Sequence, residues 1–530
     1  MTDEITTEPE EQDGSAYDEV PYSSHPYAHS HPIRMAVLGA LFGMQPTPPQ
    51  RCRVLELGCA GGGNLAPMAA VFPESRFVGV DLSSVQIADG QRLVESLGLS
   101  NIELKHLSIT DVDDSLGQFD YIVSHGVFSW VPEPVRRKIL DICAKQLTPQ
   151  GIAYISYNTY PGWHMRGTIR DMMVYHSRKW DKPQEKAAHS RALLDFLVKS
   201  VPESSGAYAS LLRKEMELMK GQADYYILHE HLETVNEPLY FHEFAAQAQQ
   251  SGLQFLAEAE LGAMSMQGLS SDIRNIVRQL SKDLVETEQY VDFIRNRTFR
   301  RSLLCRGDVQ LDRRSQAARV RTLYVASPAA AEGAVEPAAK NEAKFKLPGG
   351  TLTTQTPLIK SALTVLIERW PQAMHFDELL DESMRRINID PAASQAQREQ
   401  FATFLADNLI LCVAQRAVML YMAPPPIANQ PGERPRAFTV ARHQAQTGAR
   451  VTSLLHELVQ LSEFDRQLIR QLDGKRTQKD LLDKLAADVK TGALKPSAGV
   501  SNDPAKLQAA LQNTLTESLT RFTRLSLLEA

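Results

Sequence analysis

Along the first 310 residues, short apolar runs alternate with stretches of helical period. The runs fall at 52–57, 76–80, 101–106, 119–126 and 151–157, and each is bounded by turn residues or by a helix-compatible segment. Strands alternating with helices at this spacing predict a parallel sheet covered on both faces. Helices are predicted from near Asn64, over 85–97 with Gly98 as the stop, and over 134–146. From 165 to about 250 the pattern is helical and rich in Met, Leu, Lys and Glu, which exceeds a normal crossover and predicts an inserted helical lid. Strand patterns resume at 253–259 and 300–305, as the last two strands of the sheet.

The flanks read differently. Residues 1–16 are acidic and polar, as in a disordered tail. An arm follows in which His25, His29 and His31 alternate with Pro26, Tyr27 and Pro32. The prolines disfavour one metal-binding face, so the arm is expected to close over a neighbouring site, ahead of a short helix at 33–42. Residues 311–344 are expected as a linker, with an Ala, Glu and Pro-rich tract at 326–344. Two blocks remain, 345–425 and 435–530. Each carries an aspartate before a leucine pair (Asp377, Leu379, Leu380; Asp480, Leu481, Leu482) and ends in an apolar run, at 405–413 and 515–528. They predict two small helical, winged-helix-like modules, with one irregular helical domain as the alternative.

Composition narrows the classes. The 530 residues are 43% apolar and 23% charged with a formal net charge of -6, which disfavours a long nucleic acid held through phosphates. Arg434, Arg436, Arg442 and Arg450 form a modest positive run that reads better as a protein-interaction or dimerisation surface, so a homodimer is allowed. Cys52, Cys59, Cys143, Cys305 and Cys412 lack CxxC spacing, which argues against a disulfide framework or a zinc site. With no signal peptide pattern and no long apolar run, the expected location is cytoplasmic, with no membrane partner. His229-Glu230-His231 does not change this. Alternate residues on a helix point apart, so the expected metal set is empty.

The chemistry concentrates in Glu56-Leu57-Gly58-Cys59-Ala60-Gly61-Gly62-Gly63-Asn64 and, after about twenty residues, Val80-Asp81. A strand ending in a glycine-dense turn, then a helix and a second strand stopping at an acid, is a βαβ nucleotide site. A phosphate-cradling loop would close on Lys and Ser or Thr, whereas Asn64-Leu65 stands there. A nicotinamide or flavin site would show GxGxxG. The acid two residues before the first glycine suits a cationic amino acid moiety better than a pyrophosphate.

This combination resembles motif I of the class I S-adenosylmethionine-dependent methyltransferases, with Ala60 in place of the middle glycine. With the flanks Tyr17 to Tyr22, Ser124-His125-Gly126-Val127-Phe128-Ser129-Trp130, Tyr157-Asn158-Thr159-Tyr160-Pro161-Gly162-Trp163-His164 and Leu228-His229-Glu230-His231, the chain is similar to bacterial members carrying a methyltransferase regulatory domain. The likeness covers 17–310 well and the rest loosely. It implies a Rossmann-like α/β core of seven strands, spanning 17–310 with lid and regulatory segment at about 165–305. It also implies S-adenosylmethionine as cofactor and S-adenosylhomocysteine as product. Glu56 and Asn64 would lie near the methionine portion and Asp81 at the ribose. Ser108-Ile109 would lie at the adenine, where the family often has an acid that Asp111 could replace. The full donor set is Glu56, Gly58, Ala60, Gly62, Asn64, Asp81, Leu82, Ser108, Ile109, Ser124 and His125.

The acceptor is less determined. Some relatives of this kind methylate lysines of bacterial outer-membrane proteins, which makes a protein lysine the leading acceptor. Freeing a lysine amine of its proton at neutral pH costs about 4 to 5 kcal/mol, which a site offsets by desolvation or a proton acceptor. His125, Tyr160 and His164 are the catalytic candidates, being at the carboxyl ends of predicted strands four and five. Tyr157, Asn158 and Trp163 would complete an aromatic channel. A small-molecule methyltransferase and a non-catalytic donor-binding regulator remain as alternatives.

Overall fold

Runs of Val, Leu and Ile with few charges make strands that are buried on both faces, and here they build the central sheet. The computed structural model describes residues 24–314, 316–392, 394–491 and 504–530, so the predicted tail and Tyr17 to Tyr22 lie outside the described residues. The strands are β1 (Arg53–Leu57), β2 (Arg76–Asp81), β3 (Ile102–His106), β4 (Phe119–Ser124), β5 (Leu147–Asn158), β6 (Leu253–Glu258) and β7 (Phe299–Arg306). They form a seven-stranded sheet in the order β3-β2-β1-β4-β5-β7-β6. The Rossmann-like expectation thus meets a mixed sheet. β7 runs antiparallel to both β5 and β6, a direction that periodicity does not encode.

Helices α1 (Pro32–Leu41), α2 (Leu65–Val71), α3 (Ser84–Ser96) and α4 (Glu133–Gln146) pack around the sheet. Their starts follow local chemistry. Pro32 opens α1, with His31 Nδ1 accepting from the Ile33 amide at 3.2 Å, and Ser83 Oγ accepts from the Gln86 amide at the head of α3. Gly98, in a left-handed conformation at φ 66°, ends the turn after α3.

The inserted helical segment, expected as a lid, comprises α5 (Gly162–Ser177), α6 (Pro183–Ser200), α7 (Ala207–Met219) and α8 (Asp224–His231), and α9 (Phe241–Gln250) after them packs in the core of the sheet. α5 to α8 have their own small core, in which Ile169, Met173, Leu194, Leu212, Met219 and Ile227 are buried. His229-Glu230-His231 sits on α8, where Glu230 pairs with Arg166 at 3.0 Å and His231 is fully buried.

Residues 311–344, expected as a linker, carry a helix at Gln316–Val320 and strands at Tyr324–Ala326 and Ala330–Ala331. The reason is apolar burial. Val320, Val325 and Phe345 join one core with Met35 and Leu38 of α1, Ile152 and Tyr154 of β5, and Leu363 and Leu405 further on. The first block is therefore fused to one face of the sheet through α1. Its helices Pro357–Arg369, Phe376–Arg386 and Gln395–Ala414 accompany a three-stranded sheet of Met374–His375, Tyr324–Ala326 and Met419–Tyr421. The second block has a separate core around Phe438, Leu468, Leu481 and Phe522, and a hairpin of Arg450–Thr452 and Leu458–Gln460. Among the described residues no helix is long and apolar enough to cross a membrane.

The antiparallel β7 brings Arg300 beside Glu258 of β6 and against α10 (Leu284–Arg295). Its guanidinium, fully buried, meets Glu258 Oε1 at 2.7 Å, Asp292 Oδ2 at 2.7 Å and Glu288 Oε2 at 3.1 Å. Burial alone would raise the Glu258 carboxyl, and the Arg300 and Arg297 guanidinia outweigh it, leaving it below its ordinary value. Arg300→Met would remove the shared partner of three buried acids, leaving Arg297 to offset only Asp292 and Glu258. It should cost about 3 to 5 kcal/mol, read as a clear fall in the urea midpoint. An unchanged midpoint would show that the network does not fasten the regulatory segment to the sheet.

Candidate functional site

The carboxyl ends of β3, β2, β1 and β4 lie side by side, and the loops after them form the site. β1 carries Glu56 to its end, where it is opposite Gly79 of β2 and Val123 of β4 and only 2% exposed. The loop turns at Gly58, at φ 77°, where a Cβ would come within 2.4 Å of Val127 Cγ2. Ala60 also holds a left-handed φ of 49°, which for a residue with a Cβ costs about 1 to 2 kcal/mol. Its amide donates to Asp81 Oδ2 at 2.7 Å, and the Ser83 amide donates to Oδ1 at 2.9 Å. The acid of β2 is thereby fixed against the glycine loop.

The loop ends on Asn64, which is also 2% exposed. Its Nδ2 donates to Glu56 Oε1 at 2.8 Å. Its Oδ1 accepts from the Tyr27 amide at 2.9 Å and from His456 Nε2 at 2.8 Å. Segments from the amino-terminal arm and the second carboxyl-terminal block therefore converge on one side chain. The arm approaches closely elsewhere too. Ser24 Oγ accepts from the Gly63 amide at 2.7 Å, and a Cβ on Gly63 would lie 2.6 Å from Ser24 O.

The remaining donor-set residues line the same edge. Leu82 follows β2, and its carbonyl is 3.0 Å from His106 Nε2. Ser108 caps the turn Ile109–Asp111, its Oγ accepting from the Thr110 amide at 3.2 Å, while Asp111 is exposed. Ser124 ends β4, fully buried. His125 follows, its Nδ1 2.9 Å from Tyr154 Oη and 3.4 Å from Ser156 Oγ, with the Tyr27 ring 3.7 Å away, centroid to centroid.

The three catalytic candidates do not form one constellation. Tyr160 and His164 stack at 4.0 Å, and His164 Nε2 lies 3.1 Å from Tyr240 Oη, while the rings against His125 are Tyr27, Tyr154 and Phe299. The physical reason is the turn at Tyr160–Pro161, which leads straight into α5 and leaves His164 exposed on its first turn. Tyr157 and Trp163 are buried core rather than channel, Tyr157 stacking on Phe244 at 4.1 Å. Burial pushes the His125 imidazole down to about 3, with Arg301 adding to it, so it is neutral and a weak proton acceptor.

Sequence reasoning missed Tyr154, Glu260 and His456. Beside His29 of the arm lies a cavity of about 630 Å³ between α1, the chain following β6 and both carboxyl-terminal blocks. Ile33, Val37 and Tyr421 supply apolar wall, and Glu260 and Glu457 supply acids. Glu457 pairs with Arg34 at 2.9 Å, and Glu260 pairs with Arg416 and, at 3.3 Å, with Arg301.

Three family models match the chain: a methyltransferase domain at residues 54–151, a predicted methyltransferase regulatory domain at 223–306, and the PKMT C-terminal winged helix domain at 433–527. An uncharacterized protein of Rickettsia prowazekii is 37% identical over 499 residues, 91% of this chain and 87% of that protein. The structure of PKMT2 from Rickettsia typhi in complex with AdoHcy (S-adenosylhomocysteine) superposes with a TM-score of 0.86 at 30% identity, covering 96% of this chain and 100% of that one. The chain belongs to the PKMT family of methyltransferases. It is an S-adenosylmethionine-dependent methyltransferase with a Rossmann-like core and a carboxyl-terminal winged helix.

The residues of this PKMT-family site fit such a donor. Among the described residues, Glu56 Oε2 is buried without a hydrogen-bond partner, an acceptor that an ammonium group would satisfy. Burial raises the Glu56 carboxyl to about 8, opposed by the Asn64 hydrogen bond and reinforced by Asp81. Below that pH the ligand-free protein holds Glu56 protonated, whereas an ammonium ligand engages the carboxylate. The affinity for S-adenosylhomocysteine should therefore rise several-fold from pH 6.5 to 7.5, measured by titration calorimetry. Glu56→Gln should bind more weakly and lack this rise. A slope that survives the substitution would assign the proton to another group.

Proposed function

We propose that this methyltransferase moves the methyl of S-adenosylmethionine to an aliphatic amine, the side chain of a protein lysine. The whole-length likeness to PKMT2 of Rickettsia typhi carries this reading. Glu56 and Asn64 hold the donor's methionine portion, Asp81 its ribose hydroxyls, and the Ser108-Ile109 turn its adenine. When bound, the donor supplies an electrophilic sulfonium methyl, so the protein's work is alignment and a deprotonated nucleophile.

The cavity beside the arm supports an amine acceptor. An apolar wall of α1 and Tyr421 would lower the pKa of an entering ammonium by desolvation. Glu260, close to His29 at 4.0 Å, and Glu457 are the acids of the cavity wall, each paired with arginine. His125, neutral and hydrogen-bonded to Tyr154, contributes orientation rather than terminal proton acceptance. The five cysteines are all buried and unpaired, which supports action in the reducing cytoplasm.

Incubation with methyl-labelled donor and bacterial envelope protein should place label in methyl-lysine after hydrolysis. Acetylating the substrate lysines beforehand should abolish it. Label confined to a metabolite extract would instead establish a small-molecule acceptor, and donor binding with no transfer to either would establish a regulator.

A further inference from the structure

The hairpin of the winged helix, far from motif I in sequence, reaches into the donor loop. His456 sits at its tip, 2% exposed, with its Nε2 2.8 Å from Asn64 Oδ1 across 392 residues of sequence. Because the Tyr27 amide also donates to this oxygen, Oδ1 is the acceptor and His456 donates from Nε2–H. The ring is neutral, burial and the nearby His31 and Arg34 holding it well below the ordinary histidine range.

The backbone is committed to this placement. His456 adopts a left-handed φ of 61°, uncommon for a residue with a side chain. The turn is held by the His456 amide on Ser453 O at 2.9 Å, by the Ser453 amide on Glu457 O at 2.9 Å, and by the Leu454 amide on Ser526 O at 2.9 Å. The neighbouring residue faces elsewhere, Glu457 pairing with Arg34 of α1, and Leu454 and Leu455 line the cavity. One tip thus touches the donor loop, α1 and the acceptor cavity.

We propose that His456 is a positioning residue for the donor: it fixes the Asn64 amide, and through it the orientation of Glu56, so that the winged helix sets donor affinity. With Oδ1 held by two donors, Nδ2 is aimed at Glu56 Oε1, and Oε2 is left facing the ligand. Without His456, Oδ1 loses one of its two short hydrogen bonds and keeps the Tyr27 amide, while Nδ2 keeps Glu56 and Ser30 Oγ at 3.1 Å, so the amide and the Glu56 rotamer are held less firmly. The winged helix then completes the donor site as well as walling the cavity.

The role of His456 rests on Glu56 as the acceptor of the donor's amino group, and the test separates the two. The dissociation constant of S-adenosylhomocysteine is measured by calorimetry on full-length protein, with the melting temperature recorded alongside. His456→Leu should weaken binding on the order of tenfold, while His456→Gln, whose amide NH₂ reaches the place of Nε2, should stay within about threefold. Leu468→Ala lowers the melting temperature from within the same module's core without touching Asn64, and should leave binding unchanged. Equal weakening by Leu468→Ala would overturn the proposal in favour of general loosening of the module. Should His456→Leu fail to fold, His456→Asn, too short to reach, is compared with His456→Gln, and equal affinities overturn the proposal. If Glu56→Gln binds normally, the Glu56 reading falls and the His456 role with it. If Glu56→Gln binds weakly while His456→Leu binds normally, only the His456 role falls.

Discussion

A carboxyl group kept out of water, with one oxygen bonded to Asn64 and the other without a partner among the described residues, is the constraint around which this molecule is arranged. Burying Glu56 without partners would be costly, and the protein meets that cost by folding the glycine loop back so that Asn64 returns to it. The return requires the left-handed turns at Gly58 and Ala60. Gly58 turns without steric cost because it has no Cβ, and Val127 packs into the space one would fill, while at Ala60 the hydrogen bond to Asp81 holds the turn. In the role proposed for Glu56, donor recognition completes this buried pair.

The same pair explains the packing of distant segments. Asn64 has more hydrogen-bonding capacity than Glu56 can use, and its oxygen is filled by the arm and by the winged helix. Neither segment belongs to the sheet, yet both are drawn to its carboxyl edge. The first carboxyl-terminal block shares a core with α1 and β5, while the second keeps its own core and reaches the site through a hairpin. Both carboxyl-terminal blocks are thereby tied to the core, the first through a shared apolar core and the second through the contact of its hairpin with Asn64.

Much of the core was legible because its determinants are local. The order strand, glycine turn, helix, strand, acid occupies under thirty residues, and each step has a backbone reason visible in residue types. The seventh strand's direction was not legible, since alternation carries no sign, and it shows only in the pairing with β5 and β6 that sets Arg300 beside Glu258. The tract before Phe345 read as a linker because its small residues mask a few deeply buried ones. His125 was placed at the right strand end, but its neutral state depends on burial that no local pattern contains. Tyr160 and His164 share with it only a position at the carboxyl end of a strand, and the turn into α5 sets them against Tyr240 while His125 meets Tyr27. His456 had no local signal at all. Its partner lies 392 residues away, and only the assembled fold brings the two together.

The central claim is that the donor site is closed jointly by the loop, the arm and the winged-helix hairpin. Hydrogen exchange of the full-length protein with and without S-adenosylhomocysteine tests it most directly. The account predicts that ligand slows exchange together in residues 24–31, 58–64 and 451–460. Protection confined to 56–64 and the end of β2, with the hairpin unchanged, would contradict it.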